Sequence, residues 1–236
     1  MGTLPLPLAQ FGEVVVDFFF PCRCVGCGKV GEFLCVSCCQ KLPRLLPPFC
    51  RKCGKPESSG GLCATCWGHP TEIDGARSPF RFDGAIRQAI YELKYHNLKA
   101  ISACLAKLLA AYLQANPVPG EVLVPVPLYP RRLRERGYNQ SSLLTRELGK
   151  LVGLPVVEDS LYRFKDSLPQ ARTATVEGRR RNVANAFTCR GQRLNGRRVL
   201  LVDDVCTSGA TLEACAAALK AAGAVSVWGF TLARET

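Results

Sequence analysis

Two adjacent carboxylates, Asp203 and Asp204, close an uninterrupted apolar run, Val199–Val202. A run without polar alternation suits a strand buried on both faces of a parallel sheet. An unpaired buried charge is costly, so acids at the end of such a strand belong at its C-terminal edge, where open α/β sheets bind ligands. Five small or hydroxylated residues follow after Cys206, from Thr207 through Ser208, Gly209 and Ala210 to Thr211, and lead into an alanine-rich stretch. A small-residue loop at a helix N-terminus cradles phosphate, because orphan N–H groups and the helix dipole both favour an anion. Strand–loop–helix units with a glycine are common without any ligand; the acid pair joined directly to the loop is the more specific feature. Together the loop would hold a phosphate and the acids would hold hydroxyls or a metal. A sugar phosphate fits both halves.

A second chemistry lies near the N-terminus. Of 14 cysteines, ten precede residue 67. They include the pairs Cys24/Cys27, Cys35/Cys38, Cys50/Cys53 and Cys63/Cys66, separated by seven, eleven and nine residues. A Cys-x-x-Cys knuckle turns two thiolates toward one ion, and two knuckles complete a tetrahedral zinc site. Gly26, Gly28 and Gly54 are expected where these turns need unusual backbone angles. Pairing of neighbouring knuckles is the simplest arrangement, and the spacing also allows a crossed one. Cys22 and Cys39 are surplus and available as substitute ligands. Disulfides would need an oxidising compartment, and no export signal points to one. A segment with so few apolar residues depends on metal to fold.

The acid-and-loop stretch resembles the phosphoribosyl-pyrophosphate (PRPP) motif of type I phosphoribosyltransferases. That resemblance implies that the acids contact the ribose hydroxyls and the loop grips the 5′-phosphate. Cys206 is a departure from many members and offers only a weak donor. Four arginines crowd into Arg131-Arg132-Leu133-Arg134-Glu135-Arg136, between a strand and a helix. Guanidinium groups bind phosphate oxygens in bidentate fashion, so Arg131 and Arg132, with Lys94, suit a departing pyrophosphate. Residues 165–182 are polar and aperiodic. A loop of that length inside a compact domain is expected to be a lid, carrying Arg172, Arg179, Arg180 and Arg181 over the substrate. His69 and His96, the only histidines, are assigned no role.

The elements that must position these groups follow from the patterning. The βαβ unit around the acids has its helix at 212–222, Gly223 as its C-cap, and a second apolar run, Val225–Leu232. Upstream, Phe80–Phe82 reads as a short strand. Ala85–Tyr95 is a helix with Ile86, Ala89, Ile90 and Leu93 on one face. Ala100–Gln114 is a nearly all-apolar helix expected to be deeply buried. Glu121–Val126 is a strand, and a further helix starts at Gln140. The expected fold is α/β with a mostly parallel, Rossmann-like sheet and flanking helices, preceded by a small Cys-rich module. The expected domains are 1–72, an N-terminal helix plus the zinc module, and 73–236.

Composition agrees with a folded, anion-binding protein. The chain has 236 residues, 47% hydrophobic and 21% charged, which excludes a disordered chain. The net charge of +12 is uneven. Residues 1–75 carry seven Lys/Arg and six Asp/Glu, and residues 76–236 carry 24 and 13. A basic second domain implies a phosphorylated small molecule or nucleic acid as partner. No uncharged apolar run reaches the ~18 residues needed to span a bilayer. Residues 1–20 lack a basic n-region, so a targeting segment is not expected, and Val14–Phe20 is expected to pack onto the protein as a short helix.

Across nearly the whole chain the combination resembles the ComF family. It comprises the four Cys pairs, Leu93-Lys94-Tyr95, Val124-Pro125-Val126-Pro127-Leu128 and Arg136-Gly137-Tyr138-Asn139-Gln140. Gln170, Arg172, Arg181 and Asn182 then precede Phe187 and Val202-Asp203-Asp204. The resemblance implies a cytoplasmic bacterial protein with a zinc-finger module and a type I phosphoribosyltransferase domain. The substrate would be PRPP with Mg²⁺, with structural zinc at one or two sites. It also implies a possible homodimer and, for some members, a link to natural transformation and single-stranded DNA. Two alternatives are a single-strand-binding accessory factor and a PRPP-responsive regulator without turnover.

Overall fold

The computed structural model describes residues 21–68, 71–165 and 186–236. The expected helix at Val14–Phe20, His69, and the proposed lid residues Arg172, Arg179, Arg180 and Arg181 lie outside the described residues. The Cys-rich segment holds two short helices, α1 (Val36–Gln40) and α2 (Ala64–Trp67). After it come β1 (Gly75–Arg77), β2 (Phe80–Arg81), α3 (Gly84–Tyr95), α4 (Ile101–Ala115), β3 (Val122–Pro125), α5 (Pro130–Arg136) and α6 (Gln140–Val152). The chain finishes with β4 (Leu161–Arg163), β5 (Phe187–Cys189), β6 (Arg198–Cys206), α7 (Ala210–Ala221) and β7 (Ser226–Arg234).

The main sheet runs β1-β7-β6-β3, with β2 also pairing β7, and every pairing in it is parallel. β4 and β5 form a separate antiparallel pair. β6 is central, and its apolar residues alternate between the two faces as a strand's must. Leu200 and Val202 pack with residues of α3, α4 and α6, while Val199 and Leu201 pack with residues of α7 and the β4–β5 pair. Helices therefore cover both faces, which is why this strand reads as a continuous hydrophobic run.

Four expectations change. The strand does not stop at the acids: β6 runs on to Cys206, because Val205 and Cys206 still pair with Ala233 and Arg234 of β7. The arginine-rich stretch is not a loop but the short helix α5, with Pro130 in its first turn and Gly137 at φ 79° ending it. α4 is not buried all round. Ile101, Leu105 and Leu109 face the core while Ala103, Lys107 and Ala111 lie exposed, since alanine meets water at little cost. α7 begins at Ala210, two residues early, because Gly209 takes the left-handed conformation (φ 81°) and turns the chain into the helix. Among the described residues, no helix is long and apolar enough to cross a membrane.

Candidate functional site

The acid pair is held from two directions. Lys94, in the last turn of α3, reaches Asp204 with Nζ 2.8 Å from Oδ1. Asp204 is buried at 3% exposure. Ser141, in the first turn of α6, donates its hydroxyl to Asp203 Oδ1 at 2.7 Å, and the Asp204 N–H donates to the same oxygen at 2.9 Å. Asp204 Oδ2 is buried without a donor. Burial, then the neighbouring Asp204 carboxylate, push Asp203 up to about 7 from its ordinary 3.8, against the pull of Ser141 and Lys94. Burial works to lower the Lys94 ammonium, but Asp204 and then Asp203 outweigh it and raise its pKa. The result is a cation–dicarboxylate cluster at the C-terminal end of the central strand, with one acceptor to spare.

The cluster lies on a cavity of about 400 Å³, within the range of small-molecule sites. Thr207, Gly209 and Thr211 line it from the loop, and Val126, Pro127 and Leu128 from the end of β3. The corner after β3 is fixed by the Arg-Gly-Tyr-Asn-Gln stretch. Asn139 caps α6 by accepting from Ser141 N at 3.0 Å and donates to Val126 O at 2.9 Å. The Tyr138 hydroxyl donates to Leu93 O, tying the same corner to α3.

The two adjacent arginines part company. Arg132 lines the cavity, whereas Arg131 points along α5 to Glu135, with Nε 2.8 Å from Oε1. Successive helix residues diverge by about 100°, so a helix cannot aim both at one ligand. Lys94 is in the cavity but engaged with Asp204. Ser208 and Ala210 face a smaller cavity behind the loop. Cys206 is buried beside Arg234, whose Nη1 lies 2.9 Å from its sulfur. Burial pushes the Cys206 thiol up while Arg234 pulls it down, with burial ahead.

Several lining residues carry no signal in the sequence. Arg163 lines the cavity and Ser141 holds the first acid, while Gln140, which closes the Arg-Gly-Tyr-Asn-Gln stretch, lines the cavity as well. A wall of rings and guanidiniums also forms. Arg87 sits 5.9 Å from the Phe82 ring centre and 5.8 Å from that of Tyr91. Tyr91 and Tyr95 lie 5.2 Å apart, and Arg136 covers Tyr95 at 5.5 Å. Only the spacing of Tyr91 and Tyr95, four residues apart on a helix, was there to be read.

The eight knuckle cysteines form two clusters, Cys24/Cys27/Cys35/Cys38 and Cys50/Cys53/Cys63/Cys66, with all sulfurs of a cluster within 4.8 Å of one another. Neighbouring knuckles therefore pair, and the crossed arrangement is excluded. Cys27 and Cys35 sulfurs are 3.7 Å apart, as are those of Cys53 and Cys63. Sulfurs about 2.3 Å from one zinc at tetrahedral corners would lie about 3.8 Å apart, so both clusters fit structural zinc. Backbone N–H groups support the sulfurs: Cys35 N lies 3.4 Å from Cys24 Sγ, and Cys63 N lies 3.3 Å from Cys50 Sγ. Burial opposes ionisation of Cys24 and Cys50, yet such N–H donors bring each down to about 6. Cys22 and Cys39 belong to neither cluster. Gly28 and Gly54 do take left-handed angles, at φ 76° and 71°. Gly26 does not; it is a matter of space, since a Cβ there would stand 2.9 Å from Cys38 Sγ.

Comparison with known proteins agrees with this layout. The family described as "Double zinc ribbon domain" matches residues 15–74, and "Phosphoribosyl transferase domain" matches residues 135–234. "Competence protein F" of Haemophilus influenzae is 30% identical over 233 residues, spanning 91% of this chain and 99% of that protein. "Competence protein ComFC" of Bacillus subtilis is 28% identical, covering 88% and 86% of the two chains. "DNA utilization protein YhgH" of Escherichia coli K12 is 29% identical, covering 84% and 90%. The α/β sheet is thus of the type I phosphoribosyltransferase kind. With that sheet, a double zinc ribbon before it and similarity along almost the full length of Competence protein F, this chain belongs to the ComF family.

Proposed function

We propose that the chain binds PRPP with Mg²⁺ at the end of β6 and transfers its phosphoribosyl group to an acceptor, as a protein of the cytoplasm. The division of labour is a zinc module at 1–72 and a phosphoribosyltransferase domain at 73–236. The observation that carries this reading is the acid pair, held by Lys94 and Ser141, opening directly onto the Thr207–Thr211 loop in one cavity. The loop N–H groups and the start of α7 take the 5′-phosphate. Asp203 and Asp204, which line the cavity, accept the ribose hydroxyls. Arg132 faces the pyrophosphate, with Arg131 behind it as a supplementary charge. Oxygen donors of this kind also fit a hard divalent cation. Mg²⁺ supplies neutralisation of the leaving pyrophosphate. The chain's own part is electrostatic: it fixes cations where the leaving charge grows and holds the ribose still. Lys94 holds Asp204 in place. No lining residue identifies the acceptor, so a PRPP-responsive regulator would use the same pocket without turnover. In a titration with PRPP and Mg²⁺, the zinc-loaded protein should bind one equivalent per chain, displaced by excess ribose 5-phosphate. An absence of binding overturns the reading.

One observation favours a second reading, single-stranded nucleic acid. Phe82, Tyr91 and Tyr95, interleaved with Arg87 and Arg136, offer stacking faces and phosphate-binding cations along one wall. Binding of this kind would weaken steeply with salt, fall on Tyr95→Ala, and survive Asp203→Asn/Asp204→Asn. If it is lost with the acids, the wall serves the pocket alone.

A further inference from the structure

Arg234, the last residue of β7, is among the largest fully buried side chains, at 1% exposure. Among the described residues no carboxylate pairs with it, and its Nε has no partner. Its Nη1 donates to the Cys53 carbonyl at 2.7 Å and lies 2.9 Å from Cys206 Sγ. A buried guanidinium without a counter-charge is strongly unfavourable. The compensation stands next to it. Cys53 is one of the four thiols of the second cluster, and four thiolates around one Zn²⁺ leave about two negative charges. The residue on the other side, Cys206, is the root of the Thr207–Thr211 loop.

The second ribbon touches the loop's surroundings at several further points. Ala76 N donates to Lys52 O at 2.6 Å, and Lys52 Nζ to Ile73 O at 3.1 Å. A Cβ on Gly54 would stand 2.2 Å from Ala76 O, so the ribbon backbone lies directly on β1. Glu213, in the first turn of α7, accepts from the backbone N–H groups of Glu72 and Ile73. Between ribbon and loop only a cavity of about 80 Å³ remains, lined by Lys52, Lys55, Ser208 and Gly209. The first ribbon is placed differently. Its Cys24 and Cys35 join the main core cluster with α3 and α4, away from this contact.

We infer that Arg234 is a positioning residue that joins the second zinc ribbon to the phosphate loop, so that zinc in that ribbon and phosphate ligand in that loop stabilise each other. The inference rests on the reading of Thr207–Thr211 as a phosphate site. The charge of the loaded ribbon holds the guanidinium, and the guanidinium holds the end of β6 from which the loop springs. Removing the ion releases the knuckle that presents the Cys53 carbonyl to the guanidinium, and Arg234 with the loop root must shift. Because coupling between two binding events is reciprocal, ligand in the loop must slow loss of that one zinc.

The test is zinc release to a colorimetric chelator, followed with and without PRPP and Mg²⁺, on the full chain. Cys27→Ser removes the first-ribbon ion and so assigns the two release phases. In the wild type, saturating PRPP should slow the second-ribbon phase about tenfold and leave the first unchanged, a coupling of ordinary size. Arg234→Gln should release second-ribbon zinc about tenfold faster, bind PRPP about tenfold more weakly, and lose the PRPP effect on release. Arg234→Lys, which keeps the charge but cannot bridge both partners, should restore zinc retention more than PRPP affinity. Equal second-ribbon release in wild type and Arg234→Gln overturns the inference. So does PRPP that binds the wild type without altering release. If PRPP does not bind at all, the functional reading fails, and the comparison of release without ligand still decides the Arg234–zinc contact. Should Arg234→Gln not fold, the wild-type reciprocal measurement decides the coupling alone.

Discussion

Asp203 is expected to cost the protein stability, so replacing it with asparagine should make the fold stronger. Burial and the adjacent Asp204 raise its pKa from 3.8 to about 7. At about 1.4 kcal/mol per pH unit, that difference corresponds to at most about 4 kcal/mol. Asp203 is only part-buried and shares its environment with Asp204, so about 2 kcal/mol is the working figure. The sign follows from proton linkage. A carboxyl with a folded pKa above its unfolded one holds its proton more tightly when folded, so stability falls as pH rises from about 4 to about 7. The penalty is complete above that window. Asparagine carries no such penalty and keeps an oxygen for the Ser141 hydroxyl and the Asp204 N–H. Asp203→Asn should therefore be about 2 kcal/mol more stable at pH 8, an advantage that shrinks as the pH falls toward 4. Urea unfolding in excess zinc measures it, in a Trp67→Phe background that leaves Trp228 of β7 as the only tryptophan reporter. A variant no more stable than wild type at pH 8, or an advantage that does not shrink as the pH falls toward 4, refutes this expectation.

Lys94→Met should destabilise by about 3 kcal/mol in the same assay, because it strands the buried Asp204 carboxylate. Adding Asp204→Asn should recover most of that loss, since the stranded charge is what costs. Asn139→Ala should cost about 1–2 kcal/mol, losing the α6 cap and the donor to Val126. It should also weaken ligand binding, because Val126–Leu128 form one wall of the cavity; unchanged binding would detach that corner from the site.

The parts of the fold legible in the sequence were those whose signal is local. Val199–Val202 reads as a central strand because helices cover both of its faces, and the four knuckles read as zinc ligands because the chemistry sits within each knuckle. The pairing of knuckles was settled only in three dimensions. Arg131 and Arg132 looked equivalent as neighbours in sequence, and became different when Pro130 and Gly137 bounded a helix there. Lys94 was read as a ligand for pyrophosphate because nothing local shows that α3 aims it at Asp204. Ser141 and Arg163 are single polar residues without a motif. The ring wall has no local signal because Phe82 comes from the turn after β2, Tyr91 and Tyr95 from α3, and Arg136 from α5. Arg234 lies just beyond the apolar run Val225–Leu232, and nothing local shows that it is buried between the ribbon and Cys206.

On the proposed function, the acid pair and the Thr207–Thr211 loop form one PRPP site. Calorimetric titration of PRPP in Mg²⁺ into the zinc-loaded wild type and into Asp203→Asn/Asp204→Asn tests it most directly. The wild type should show one site per chain, and the double variant, which remains folded and keeps both zinc ions, no measurable binding. Equal binding by the two proteins, or none by the wild type, contradicts it.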